Sequence, residues 1–100
     1  MNKTEYLLTC LSEECAEISQ RASKAIRFGL AEKQVGQEMD NASRLCEEVV
    51  DLLCVLELVD KHCPELRNAN DFDPDKCREV KLAKLEKYMA YSRAQGTLVD

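Results

Sequence analysis

Apolar residues recur every three or four positions through two long segments of the chain. In the first, Leu11, Cys15, Ile18 and Ala22 fall on one side of a helix. In the second, Leu45, Val49, Leu52 and Leu56 do the same. The punctuation agrees with that period. Asn2 and Glu5 have the spacing of a capping box, and Gly29 can close what they open, so a helix is predicted over Lys3–Phe28. A polar connection, GLAEKQVGQEMD, follows. The second helix starts near Glu38 or Ala42 and ends at His62, because Pro64 pushes Cys63 out of helical geometry. PELRNANDFD then reads as a loop. Asp73 is a good N-cap, Pro74 suits the first helical position and Gly96 a stop, giving a third helix over Pro74–Ala94. No alternating strand pattern occurs.

Polar residues interrupt both apolar segments in the same way. LSEECAEI at Leu11–Ile18 and LCEEVVDL at Leu45–Leu52 carry acids at matching positions. A helix turns about 100° per residue, so with Leu11 at zero, Glu14 lies near 300°, Glu17 near 240° and Glu13 near 200°. With Leu45 at zero, Glu48, Asp51 and Glu47 take those same three directions. Glu14 and Glu48 are thus expected on the shoulder of each apolar stripe, with Glu17 and Asp51 beside them. Glu13 and Glu47 point to solvent. Two helices packed antiparallel through these stripes would bring Glu14, Glu17, Glu48 and Asp51 together. Two like charges about 4 Å apart repel by roughly 4 kcal/mol at an effective dielectric of 20. Four such groups must take up protons or hold a cation. Hard oxygen donors in that number suit Mg²⁺ or Mn²⁺.

Composition narrows the classes. One hundred residues make one domain, 1–100, and three glycines and two prolines leave few places to turn. The fold class expected is all-α: three helices per chain in a four-helix-bundle core that association with other copies completes. A net charge of −5 disfavours nucleic acid as the partner. The opening MNKTEYLLTCLSEECAE has acids where an export signal needs an apolar run, and Val49–Val59 is cut by Asp51 and Glu57. The expectation is a cytoplasmic protein without a membrane partner. Six cysteines contain no Cys-x-x-Cys pair and His62 is the only histidine, which excludes an ordinary zinc site; the thiols read as reduced, small apolar side chains. A di-iron bundle needs Glu-x-x-His on two helices and is excluded on the same count.

With the acids in place, the chain resembles a known family. EECAE at Glu13–Glu17 and EVVD at Glu48–Asp51 look like the E-E-x-x-E and E-x-x-D pattern of the MazG-like, all-α nucleoside triphosphate pyrophosphohydrolases. RLCEEVVDLL at Arg44–Leu53 is similar to that family's second metal-binding helix. The likeness covers about Leu7 to Leu56 and continues more loosely into the third helix. The interval Ile18–Glu47 between the motifs is at the long end for the family. The resemblance implies Mg²⁺ held by Glu14, Glu17, Glu48 and Asp51. It also implies hydrolysis of nucleoside triphosphates to monophosphate and pyrophosphate, and homodimers or homotetramers of four-helix bundles. No catalytic group beyond the metal ligands is identified.

The third helix adds cations. With Cys77 at zero, Lys81, Lys84, Tyr88 and Tyr91 cluster within about 40° of it, while Leu82, Leu85 and Met89 form a separate apolar stripe. Lys81 and Lys84 are candidate phosphate contacts and Tyr88 a candidate base or sugar contact. The competing expectation is a solvated lysine face with tyrosines in a subunit contact. A non-catalytic nucleotide-sequestering module, or a helical oligomerisation adaptor, is the alternative to an enzyme.

Overall fold

The computed structural model describes Met1–Asp100. It contains four helices and no strand: α1 Lys3–Phe28, α2 Asn41–His62, α3 Pro64–Arg67 and α4 Pro74–Ala94. No helix is long and apolar enough to cross a membrane. The chain forms two compact units, Met1–Asn68 and Ala69–Asp100.

Local chemistry sets each boundary. Asn2 Oδ1 accepts from the backbone N–H of Glu5 at 2.8 Å, and the Glu5 carboxylate accepts from the backbone N–H of Asn2 at 2.8 Å. This reciprocal pair satisfies two of the orphan donors at the start of α1. α1 stops at Gly29, which sits at φ 98 and ψ 149, a region essentially reserved for glycine. Asp40 caps α2 by accepting from Ser43 N–H at 2.8 Å, and that bond holds its carboxyl below the usual range. Pro64 ends α2 as expected. The residues after it do not form a plain loop. Pro64–Arg67 makes a single further turn, α3, because proline is well placed to start one and Cys63 O accepts from both Leu66 and Arg67. In the second unit, Asp73 caps α4 through Asp75 and Lys76 N–H, and Arg93 grips Asp100 bidentately at 2.8 and 2.9 Å. Both partners of that pair are well exposed, so it adds at most about 1 kcal/mol.

α1 and α2 pack against one another as an antiparallel hairpin. Leu7 near the start of α1 meets Val59 and Cys63 at the end of α2. Asn41 at the start of α2 donates from Nδ2 to Gly29 O at the end of α1. Thr4, Cys10, Ala22 and Lys24 on α1 and Asn41, Ala42, Arg44 and His62 on α2 are also partly or fully withdrawn from solvent, but the seam itself is marked by Leu7, Leu11, Glu14, Ile18, Arg21 and Ala25 on α1 and by Leu45, Glu48, Leu52, Val55 and Val59 on α2. They alternate in steps of three and four, the seam spacing of two helices wound side by side. The expected stripes are therefore turned toward the acids. Cys15, Val49 and Leu56 lie outside the seam and are exposed, while Glu14 and Glu48 lie within it. The reason is geometric: a pair of helices buries only a narrow seam, whereas an apolar stripe wide enough for a bundle extends beyond it.

The buried apolar core is correspondingly small, with Leu7, Val59 and Cys63 sealed and Val55 packed against them. All six cysteines are free. Only Cys63 serves as a sealed core side chain, while Cys15, Cys46, Cys54 and Cys77 are exposed. Replacing Val59 by Ala should cost about 2 kcal/mol in urea unfolding, as two buried methyl groups are lost. Val35, 99% exposed in the connection, should tolerate alanine within about 0.5 kcal/mol.

Candidate metal centre

The seam brings the acids of the two motifs together. Glu14 occupies the seam position between Leu11 and Ile18, and Glu48 the one between Leu45 and Leu52. Carboxylate oxygens of Glu14, Glu17 and Glu48 all lie within 4.8 Å of one another. Glu14 and Glu48 are half-buried and Glu17 is exposed. Glu14 Oε2 and Glu48 Oε2 have almost no contact with solvent and no hydrogen-bond partner. Removing a carboxylate oxygen from water without a replacement partner is unfavourable, so these two atoms would gain from a positively charged partner.

Glu48 registers that cost. Its carboxyl faces that of Glu17, and a proton held between the two is favoured; this raises the Glu48 pKa, and burial and the charges of Glu17 and Asp51 raise it further. Arg21 acts in the opposite direction. Its side chain stands seven residues after Glu14, two turns along the same seam, and its charge favours the ionised form of Glu48. Arg21 forms no ion pair with the acids, and one guanidinium nitrogen, Nη1, is sealed from solvent with no hydrogen-bond partner. A short cluster of opposite charges thus sits half-buried along the hairpin seam with its hydrogen-bonding capacity partly unused.

The other sequence-derived candidates fall elsewhere. Asp51 is exposed and outside the group of three, although its charge reaches Glu48. Glu13 and Glu47 are exposed, as their phase requires. Lys81 and Lys84 line an open cavity of about 470 Å³ along α4, together with Cys77 and Val80. Tyr88 is 61% exposed, with the Lys87 ammonium 5.8 Å from its ring centroid. These residues belong to the second unit and the acids to the first. Sequence reasoning overlooked Arg21. The signal was present, since Glu14, Ile18 and Arg21 are spaced by four and three, but only the apolar positions were followed.

Three carboxylates with two unpartnered oxygens form a donor set that suits a hard divalent cation. No protein-family model, no curated protein and no solved structure matches the chain.

The Glu48 shift gives a signed prediction for the chain without added cation. The folded state binds this proton more tightly than the unfolded state, so ionisation of Glu48 favours unfolding. The stabilisation it provides is complete below the ordinary glutamate value of 4.5 and is lost as pH rises through the raised folded value. In thermal melts the Tm of the parent, relative to Glu48→Gln, should fall across that window. A relative Tm that rises with pH would contradict the assignment.

Proposed function

We propose that the chain is a divalent-cation-dependent nucleoside triphosphate pyrophosphohydrolase of the MazG-like kind, releasing monophosphate and pyrophosphate and adjusting nucleotide pools. The observation that carries this reading is the pair of sealed, unpartnered oxygens, Glu14 Oε2 and Glu48 Oε2, beside Glu17. Leucine at either seam position would satisfy the fold without that electrostatic cost. Acids there have a reason if they serve a ligand. The chemistry of the donor set and the E-E-x-x-E and E-x-x-D spacing support the same choice.

Glu14, Glu17, Glu48 and Asp51 would hold Mg²⁺, or Mn²⁺ in its place; Asp51, being exposed, has the freedom to turn toward an ion bound by the other three. When bound, such an ion neutralises triphosphate charge, stabilises the leaving pyrophosphate and acidifies an attacking water. The chain's own groups would do the rest. Glu48, whose carboxyl faces Glu17 and holds its proton more tightly for that reason, would give the proton up more readily as a cation binds. Arg21 places a guanidinium two turns from Glu14, where an anionic substrate would meet it. Lys81 and Lys84, expected from the sequence as phosphate contacts, and Tyr88, expected as a sugar or base contact, belong to the second unit and are proposed as an anion-binding face of that unit by itself.

Association of copies into homodimers or homotetramers belongs to the same proposal. Leu8, Val49, Leu53 and Leu56 leave an apolar edge at 38–53% exposure along the hairpin. A four-helix core would cover such an edge, and a hairpin with three sealed apolar residues has reason to seek one.

Purified protein with Mg²⁺ and a panel of ribo- and deoxynucleoside triphosphates should release pyrophosphate and monophosphate. Glu48→Ala should lower kcat/KM by at least about a hundredfold, equivalent to about 2.7 kcal/mol of transition-state stabilisation. Nucleotide binding without turnover in the parent would instead identify a sequestering module. Neither binding nor turnover would leave an oligomerisation adaptor.

A further inference from the structure

Arg21 is the one cation of the seam. The hairpin is tied at both ends, with Leu7 against Val59 and Cys63 and with Asn41 Nδ2 bonded to Gly29 O. Counting back from Gly29 to Arg21 covers about 12 Å of α1, and counting on from Asn41 to Glu48 covers about 10.5 Å of α2. Arg21 therefore stands level with Glu48 across the seam. It also follows Glu17 by one turn, about 40° further round α1. A guanidinium thus bounds one end of the acid group.

That guanidinium is not engaged by the acids. An arginine kept only to neutralise carboxylates pairs with them, and its planar fork suits a bidentate pair. Arg93 behaves in this way toward Asp100, at 2.8 and 2.9 Å. Arg21 has no such pair, and its Nη1 is sealed from solvent without an acceptor. The residue as a whole is half-buried. A withdrawn N–H without an acceptor is unfavourable, so Arg21 would gain from an anion that the chain itself does not supply.

On this side of the acids the chain offers no donors for a second metal ion. Past Glu17, α1 carries no acid as far as Phe28; its charged residues there are Arg21, Lys24 and Arg27. Ahead of Glu48 the only acid of α2 is Glu47, which is exposed and points away from the seam. The oxygens of Glu14, Glu17 and Glu48, within 4.8 Å of one another, make a single cage. Two-ion hydrolytic sites place their ions about 3.5–4 Å apart, so that the pair clamps the attacking and the leaving oxygen.

We infer that Arg21 stands in for a second metal ion: the site binds one divalent cation, and the Arg21 guanidinium supplies the other positive charge by donating to a phosphate oxygen of the same substrate. The inference rests on the reading of Glu14, Glu17 and Glu48 as a cation site. Cation and guanidinium repel each other until a polyphosphate bridges them, and then both hold it. Removing the guanidinium charge therefore tightens cation binding and weakens anion binding. Damage to the fold would weaken both.

Two titrations of the full chain test this, Mn²⁺ with bound ions counted by electron paramagnetic resonance, and pyrophosphate in saturating Mg²⁺ by calorimetry. The parent should bind one Mn²⁺ that Glu48→Gln removes. Arg21→Gln should bind that Mn²⁺ at least as tightly as the parent, and magnesium pyrophosphate about tenfold more weakly or worse. Arg21→Lys keeps the charge and loses the fork, and its pyrophosphate affinity should fall between the two. The inference is overturned if Glu48→Gln removes two ions, if Arg21→Gln binds pyrophosphate like the parent, or if Arg21→Gln loses Mn²⁺ and pyrophosphate together. The cation reading survives each of those results. It fails, and the inference with it, if the parent binds no Mn²⁺ that Glu48→Gln removes.

Discussion

Everything distinctive about this hairpin follows from charge placed inside a helical seam. Two helices joined antiparallel meet along a narrow seam in steps of three and four, and elsewhere in that seam the chain puts leucine, isoleucine, valine and alanine. At Glu14 and Glu48 it puts carboxylates, and at Arg21 a guanidinium. Each is long enough to draw part of its charge toward the edge, yet one polar atom of each stays sealed without a partner. An apolar side chain would pack there at lower electrostatic cost. The arrangement is coherent if the sealed atoms await a ligand.

The rest of the first unit serves to hold that strip in register. Asn2 and Glu5 anchor one end of α1, and Asp40 anchors the start of α2. Leu7, Val59 and Cys63 close one end of the hairpin, and Asn41 ties the other by bonding the connection back onto α2. Glu17 and Glu48 lie between these two clamps. A slip of one residue on either helix would turn an acid out of the seam and an exposed residue into it. The clamps at both ends therefore matter more to the site than the modest core they contain.

Much of this was legible in the sequence. The ends of α1 and α4 and the end of α2 were readable from Asn2, Gly29, Pro64, Asp73 and Pro74, because capping and proline geometry are local. The matching phase of the two acid clusters was readable for the same reason, since helical rotation is fixed. What escaped depends on which neighbour a helix meets. The apolar stripes are broad, and only packing decides which of their edges becomes the seam; that choice left Val49 and Leu56 exposed and drew Glu14 and Glu48 inward. The turn at Pro64–Arg67 escaped because four residues carry no period. The bonds from Asn41 to Gly29 and Glu32 escaped because they run across the connection, which no local pattern announces.

The central claim is that Glu14, Glu17 and Glu48 together form one cation site at the edge of the α1–α2 seam. Paramagnetic broadening by Mn²⁺ tests it most directly. At substoichiometric Mn²⁺, amide signals of residues flanking Glu14, Glu17 and Glu48 should vanish first, and Glu48→Gln should abolish the effect. Broadening scattered over exposed acids such as Glu47, Glu57 and Asp75, and unchanged by that substitution, would contradict the account.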